Sequence, residues 1–315
     1  MKTLIDHPKL SLGIFPTPIQ KLHNISCILG TNVYVKRDDM TGLGLGGNKI
    51  RKLEYLLADA QEKGARVVFT TGGAQSNHAM LTAACAAKLG MEAILILKDR
   101  GVTETRGNLL LEKLMGTQVR FFDTDDYNDI YDEMDRVGRM MGVPYYKIPC
   151  GGSNPLGTLG YVDCAKEIAG QGIHFDHIIC AEGSGGTMAG ISLGAHLFLP
   201  GTRVTGMMVD REPFDVITKE LISGASELLG VKADVANYSL RDMCGPGYAI
   251  ASQEGNEAVS LMASQEGIFL DPVYTGKAFA GLMAMAREGA FGPHQNVLFI
   301  HSGGAGGLFA VDMDG

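Results

Sequence analysis

No stretch of the 315-residue chain approaches the roughly 18 consecutive apolar residues of a membrane span, and residues 1–8 hold no apolar run of the kind that directs secretion. The expectation is a protein that stays in the cytoplasm. Positive charge is scarce as well. With 27 Lys and Arg against 35 Asp and Glu, the net charge is −8, and this balance does not supply the basic face that a nucleic-acid partner requires. The six cysteines, Cys27, Cys85, Cys150, Cys164, Cys180 and Cys244, lie far apart and never form Cys-x-x-Cys. That spacing argues against a zinc site, a redox pair or a disulfide framework and reads as buried thiols. Tandem repeats, low-complexity tracts and flexible linkers are missing too. What remains is enough chain for a large core, in about two domains or one large α/β unit.

What is present alternates. Short apolar runs at 33–37, 67–71, 93–97, 119–122 and 145–148 read as strands, and between them residues 48–63, 79–89, 106–115 and 127–141 carry helical periodicity. A glycine-rich interruption at 149–155 marks a plausible domain boundary. A second series follows, with strands at 177–181, 203–209 and 297–300 and helices at 156–169, 188–198, 214–229, 254–265 and 277–287. Strands that alternate with helices imply βαβ units and a mostly parallel sheet.

Two glycine loops stand out. The first, Thr41-Gly-Leu-Gly-Leu-Gly-Gly-Asn-Lys49, ends in a lysine as a helix begins. It satisfies Gly-x-Gly-x-x-Gly formally, but the next strand ends Thr70-Thr71-Gly72, without the acid that would hold a ribose, so a nicotinamide dehydrogenase is disfavoured. The Walker pattern fails because Asn48 precedes the lysine and no Ser or Thr follows it. The second loop, Gly183-Ser-Gly-Gly-Thr187, follows an apolar run and opens a helix. Such a turn is either an anion cradle of free backbone N–H groups or a plain strand-to-helix turn with Ser or Thr as cap. A lysine in one glycine loop and a phosphate cradle in another suit one cofactor, pyridoxal 5′-phosphate (PLP), which needs a covalent amine and a phosphate anchor.

Gly46-Gly-Asn-Lys49-x-Arg-Lys-Leu-Glu54, Gln75-Ser-Asn-His78, Gly151-Gly-Ser-Asn154, Gly183-Ser-Gly-Gly-Thr-x-Ala-Gly190, Leu270-Asp-Pro-Val-Tyr-Thr-Gly-Lys277 and Ile300-His-Ser-Gly-Gly304 occur in one order along the chain. Together they resemble the D-cysteine desulfhydrase and 1-aminocyclopropane-1-carboxylate (ACC) deaminase family, fold-type II PLP enzymes of the tryptophan synthase β-like class. The resemblance implies an α/β fold of two open, twisted, mostly parallel sheet domains with PLP in the cleft between them. Residues 1–50 and 156–315 would form the large PLP-binding domain, 51–155 a small inserted one. It also implies a homodimer.

Residue by residue, the resemblance makes Lys49 the Schiff-base lysine and an acid/base group. Asn77 would bond the PLP phenolic oxygen, and Ser76 with the His78 N–H would hold the substrate carboxylate, although a cap role for Ser76 or Asn77 stays open. Ser184, Gly185, Gly186 and Thr187 would cradle the phosphate, and Ser302 would face the pyridine nitrogen. Tyr248 and Tyr274 match tyrosines of the substrate pocket.

One departure separates the branches of the family. ACC deaminases are similar to Tyr-Glu-Gly-Lys, whereas this chain reads Tyr274-Thr-Gly-Lys277, and a threonine cannot protonate the ring as a carboxylate does. The expectation is therefore β-elimination by a carbon–sulfur lyase. Its substrate would be D-cysteine, giving pyruvate, hydrogen sulfide and ammonia, with L-cysteate and release of sulfite as the alternative.

Overall fold

The computed structural model describes residues 7–124, 126–311 and 313; residues 1–6, part of the N-terminal stretch read above, lie outside them. Among the described residues, ten strands and eleven α-helices form two sheets with helices on both faces. The strands are β1 (Ile19–Lys21), β2 (Asn32–Lys36), β3 (Val67–Thr70), β4 (Glu92–Lys98), β5 (Gln118–Phe122), β6 (Tyr145–Lys147), β7 (His177–Glu182), β8 (Arg203–Met208), β9 (Tyr238–Asp242) and β10 (Asn296–Ile300). The first helices are α1 (His23–Leu29), α2 (Lys49–Glu62), α3 (Asn77–Leu89), α4 (Gly107–Leu114) and α5 (Tyr127–Met141). After β6 come α6 (Pro155–Gly170), α7 (Gly186–Phe198), α8 (Phe214–Leu229), α9 (Gln253–Glu266), α10 (Thr275–Arg287) and α11 (Ala305–Leu308).

The larger sheet runs β1-β2-β10-β7-β8-β9 and the smaller β5-β4-β3-β6. Every pairing is parallel except β1 with β2. The smaller sheet comes from chain lying between β2 and β7, so the larger sheet is assembled from the two flanking stretches.

The period-2 geometry of strands divides each sheet's apolar residues between two faces. In the smaller sheet, Val68, Leu95 and Leu97 pack with Leu53, Leu57 and Met80 of α2 and α3, while Val67, Phe69, Ile94 and Ile96 meet Ile130, Met134 and Val137 of α5. The larger sheet repeats the scheme. Val35, Ile179 and Phe299 face α9 and α10, and Ile178, Cys180 and Leu298 face α6 and α7. Strands covered on both faces become continuous apolar runs, which is why β3 and β10 were legible.

Four elements were not anticipated. β1 has three residues, α1 seven with no side-chain cap at Leu22, α11 four, and β9 is a half-exposed edge strand. None carries a periodic signal long enough to read. The thiols also differ from expectation. Four of the six are buried, but Cys27 is exposed and Cys150 is only partly covered.

Candidate active site

Parallel sheets converge chain turns at the carboxyl ends of their strands, where open α/β sheets leave a crevice. Here the turns after β2, β3, β7, β8 and β10 all line one cleft, with about 700 Å³ of open space including its mouth.

The lysine loop forms one wall. Gly46 (φ 72°) and Gly47 (φ 143°) take backbone conformations that residues with a Cβ avoid, and a Cβ on Gly46 would lie 1.8 Å from the Asp39 carbonyl oxygen. This tight fold delivers Lys49 to the cleft as the first residue of α2. Two other loops are tied to it. Gly47 forms an antiparallel bridge with Gly303, the Asn48 N–H donates to the Ser302 carbonyl (3.0 Å), and Asn48 Nδ2 donates to Thr187 Oγ1 (3.0 Å).

Behind α2 lies a buried ion cluster. Arg51 donates to Asp38 through Nε and Nη2, both at 2.8 Å, and to Glu167 through Nη1 at 2.9 Å; Tyr161 Oη donates to Asp38 and Lys36 pairs with Glu167. Burial alone would raise the Asp38 carboxyl, but Arg51 holds it below its ordinary value. An ion cluster with its hydrogen bonds satisfied fixes geometry even where it adds little net stability. It anchors the helix that carries Lys49.

The Lys49 ammonium makes no hydrogen bond among the described residues, and burial lowers its pKa, with Cys150 and Glu182 opposing. Lys52, one turn on, is fully buried. It donates to the Gly151 carbonyl (3.1 Å) and Ser153 Oγ (3.0 Å), and burial, then Lys49, lowers its pKa well below the usual range.

The second glycine loop sits between β7 and α7. Ser184, Gly185 and Thr187 line the cleft, and the Ser184 and Gly185 N–H groups already converge on one carboxylate, that of Glu182. Gly186 stands apart, because its N–H is taken by Ser153 Oγ at 3.2 Å, under a helix start packed on Lys52. The amides therefore gather around an anion, as a phosphate cradle must. With Lys49 in the same cleft, the residues fit PLP. Glu182 stands out in retrospect: its acid immediately precedes a loop that selects for negative charge.

On the opposite wall, Ser76 caps α3, its Oγ accepting from the Ala79 N–H at 3.2 Å, and it still lines the cleft beside Asn77 and His78. Asn77 Oδ1 accepts from Asn108 Nδ2 (2.8 Å). Thr70 Oγ1 donates to the Ile148 carbonyl, so it accepts from His78 Nε2 (2.9 Å). Burial, followed by Lys49 and Lys52, pushes the His78 pKa well down and keeps the ring neutral.

Tyr248 and Tyr274 also line the cleft, their hydroxyls 2.6 Å apart. Burial raises both phenols above their ordinary value. Ser302 lines the cleft as well. Thr275 does not: it is fully buried, and its Oγ1 donates to Asp271 (2.7 Å) while accepting from the Asp271 N–H (2.8 Å). Sequence reasoning missed Tyr127, Cys150 and Asp210, which complete the lining. No local motif marks them.

Comparison with known proteins agrees with this geometry. The family model described as "Pyridoxal-phosphate dependent enzyme" matches residues 10–303. A Pyrococcus horikoshii protein named "Putative 1-aminocyclopropane-1-carboxylate deaminase" is 48% identical over 317 residues, covering 97% of this chain and 94% of that protein. A crystal structure of an ACC deaminase homologue superposes with a TM-score of 0.92 at 46% identity, covering 97% and 94% of the two chains. The structure of an O-ureido-L-serine synthase, at 17% identity and a TM-score of 0.67 with 97% and 93% covered, shares the fold.

Proposed function

The chain belongs to the pyridoxal-phosphate dependent enzymes, within the D-cysteine desulfhydrase and ACC deaminase family, and from that premise we propose that it is a carbon–sulfur lyase converting D-cysteine to pyruvate, hydrogen sulfide and ammonia. One observation carries the reading. Lys49 and two hydrogen-bonded phenols line one cleft, while the position that would offer the ring a carboxylate, Thr275, is buried and bonded to Asp271.

Bound PLP supplies an electron sink for the bonds at the substrate Cα. Lys49 would hold its aldehyde carbon and, when released, move the Cα proton; its burial-lowered pKa suits that task. Ser184, Gly185 and Thr187 would take the phosphate, and Asn77 the phenolic oxygen. Ser302 would offer the ring nitrogen a neutral hydroxyl. Ser76 and the His78 N–H, at the start of α3, would receive the substrate carboxylate. Tyr248 and Tyr274 would protonate the departing sulfur, burial keeping both phenols protonated until then.

L-cysteate is the alternative substrate. A sulfonate calls for cations, and among the residues lining the cleft Lys49 is the one lysine or arginine, which favours the thiol. ACC is a second reading, supported by the names of the relatives and opposed by Thr275. The proposal includes a homodimer, checked by light scattering, and a division into residues 1–50 with 156–315 and residues 51–155, in keeping with the segments that build each sheet. The deciding experiment assays keto-acid release from D-cysteine, L-cysteine, L-cysteate and ACC. Pyruvate with sulfide from D-cysteine is expected. Dominant 2-ketobutyrate from ACC, or sulfite from L-cysteate, would overturn the substrate assignment.

A further inference from the structure

We propose that Lys277 is a positioning residue for Tyr248: its buried ammonium clamps the loop that carries this phenol and so sets the tyrosine pair. Lys277 is fully buried on the first turn of α10, three residues after Tyr274. It makes no ion pair among the described residues; instead Nζ donates to the carbonyls of Cys244 (2.7 Å) and Gly247 (2.8 Å). Asp210 and Asp271 favour the charged form without pairing with it, a buried ammonium is costly unless its hydrogen bonds are good, and both of these bonds go to one loop, just ahead of Tyr248. Gly245 (φ 60°) lies between the two clamped carbonyls and Gly247 (φ 154°) carries one of them, and Ala249, directly after the tyrosine, has φ 60°, a conformation that residues with a Cβ rarely adopt. Packing alone does not hold the ring, since a second cavity, bordered by Gly73, Arg100 and Val273, lies against Tyr248 and Tyr274. Tyr248 is thus a partition between two spaces, and the clamp keeps its hydroxyl 2.6 Å from that of Tyr274.

The inference rests on the elimination reading, in which this pair protonates the leaving group. Its test is a double-mutant cycle in the PLP-loaded protein with the substrate that the wild type turns over. Tyr248→Phe alone tests the reading; unchanged turnover would remove the phenol from the mechanism and leave nothing for Lys277 to position. Lys277→Met should lower kcat about 10- to 100-fold with KM and cofactor absorbance little changed, the size of effect that follows a displaced group. Added to Tyr248→Phe it should cost no more than about a further threefold, because residues acting through one group are not additive. A readout independent of turnover is the ¹³C resonance of the Tyr248 ring, assigned by its loss in Tyr248→Phe, which should move in Lys277→Met. A kcat within twofold of wild type, an unmoved resonance, or a full additional loss on the Tyr248→Phe background would overturn the assignment. If Lys277→Met does not fold, Lys277→Gln is read in its place. Failure of both to fold would make the lysine a core residue and overturn the assignment too.

Discussion

Where the proposal places the cofactor, the polar groups stand at the start of helices that follow buried strands, Asn77 at α3 and Ser184 to Thr187 at α7. At the substrate end, Tyr248 comes from a stretch between β9 and α9 with no regular structure, held by a lysine from a different element. The first kind of construction follows from local rules, because a strand, a glycine turn and a helix together aim free N–H groups at one point. The second depends on contacts between residues far apart in sequence. It gives the phenols a position but leaves them on the more easily disturbed wall.

Mutations can break this contrast. Lys49→Ala should act most strongly, with turnover down about a thousandfold or more and the covalent absorbance band lost on a spectrum of the purified protein. A band and activity that persist would move the amine elsewhere. Tyr274→Phe should lower kcat about 10- to 100-fold while the cofactor titrates in with wild-type affinity, which separates the two ends in one variant. Equal losses in both measurements would merge them.

Glu182→Gln probes the cofactor end from the opposite side. Burial raises the Glu182 carboxyl, its bonds from the Gly185 and Ser184 N–H groups and the charges of Lys52 and Lys49 oppose this, and Cys180 lies on its own strand. As pH rises through that raised pKa, the carboxylate forms and competes for the amides that a phosphate needs. The variant should therefore bind PLP roughly tenfold more tightly at pH 8, about one pKa unit's worth, with the advantage shrinking as pH falls. A ratio independent of pH, followed by absorbance titration of the apoprotein, would exclude competition.

The smallest effect is expected away from both ends. Glu112 on α4 is buried with neither carboxyl oxygen paired among the described residues, and burial pushes it up to about 8. A raised acid pKa means that folding retains a proton: the stability is fully present below the unfolded value near 4.5 and is lost as pH rises through 8. Glu112→Gln should raise Tm by a few degrees at pH 9 and change it little at pH 4.5, with PLP affinity and kcat unmoved. A shift equal at both values would contradict this.

How much of this was legible follows the same division. Lys49, Ser184, Gly185, Thr187, Ser76, Asn77 and Ser302 could be read because each sits in a short motif at the end of an apolar run. Without the family resemblance, Tyr248 and Tyr274 were two of ten tyrosines. The roles of Glu182, Cys150 and Lys277 at the site were not read. Those of Cys150 and Lys277 arise when distant segments, the turn after β6 with α5 and α10 with the loop after β9, are brought together, and no short window contains both partners; Glu182 lies two and three residues from the N–H groups it accepts from, in a position the glycine motif does not include. At Gly186, which the motif also made a phosphate ligand, the N–H donates to Ser153 Oγ, as those of Ser184 and Gly185 donate to Glu182.

Asn48 has a consequence for recombination. Through its backbone N–H it holds the Ser302 loop, and through its side chain the Thr187 hydroxyl, so three loops from distant parts of the chain share one residue as a brace. A chimera with a relative that changes parents anywhere between 49 and 302 would inherit the brace from one parent and a braced loop from the other. Exchanging these loops as a set keeps the frame; exchanging them singly asks one parent's asparagine to fit another's geometry.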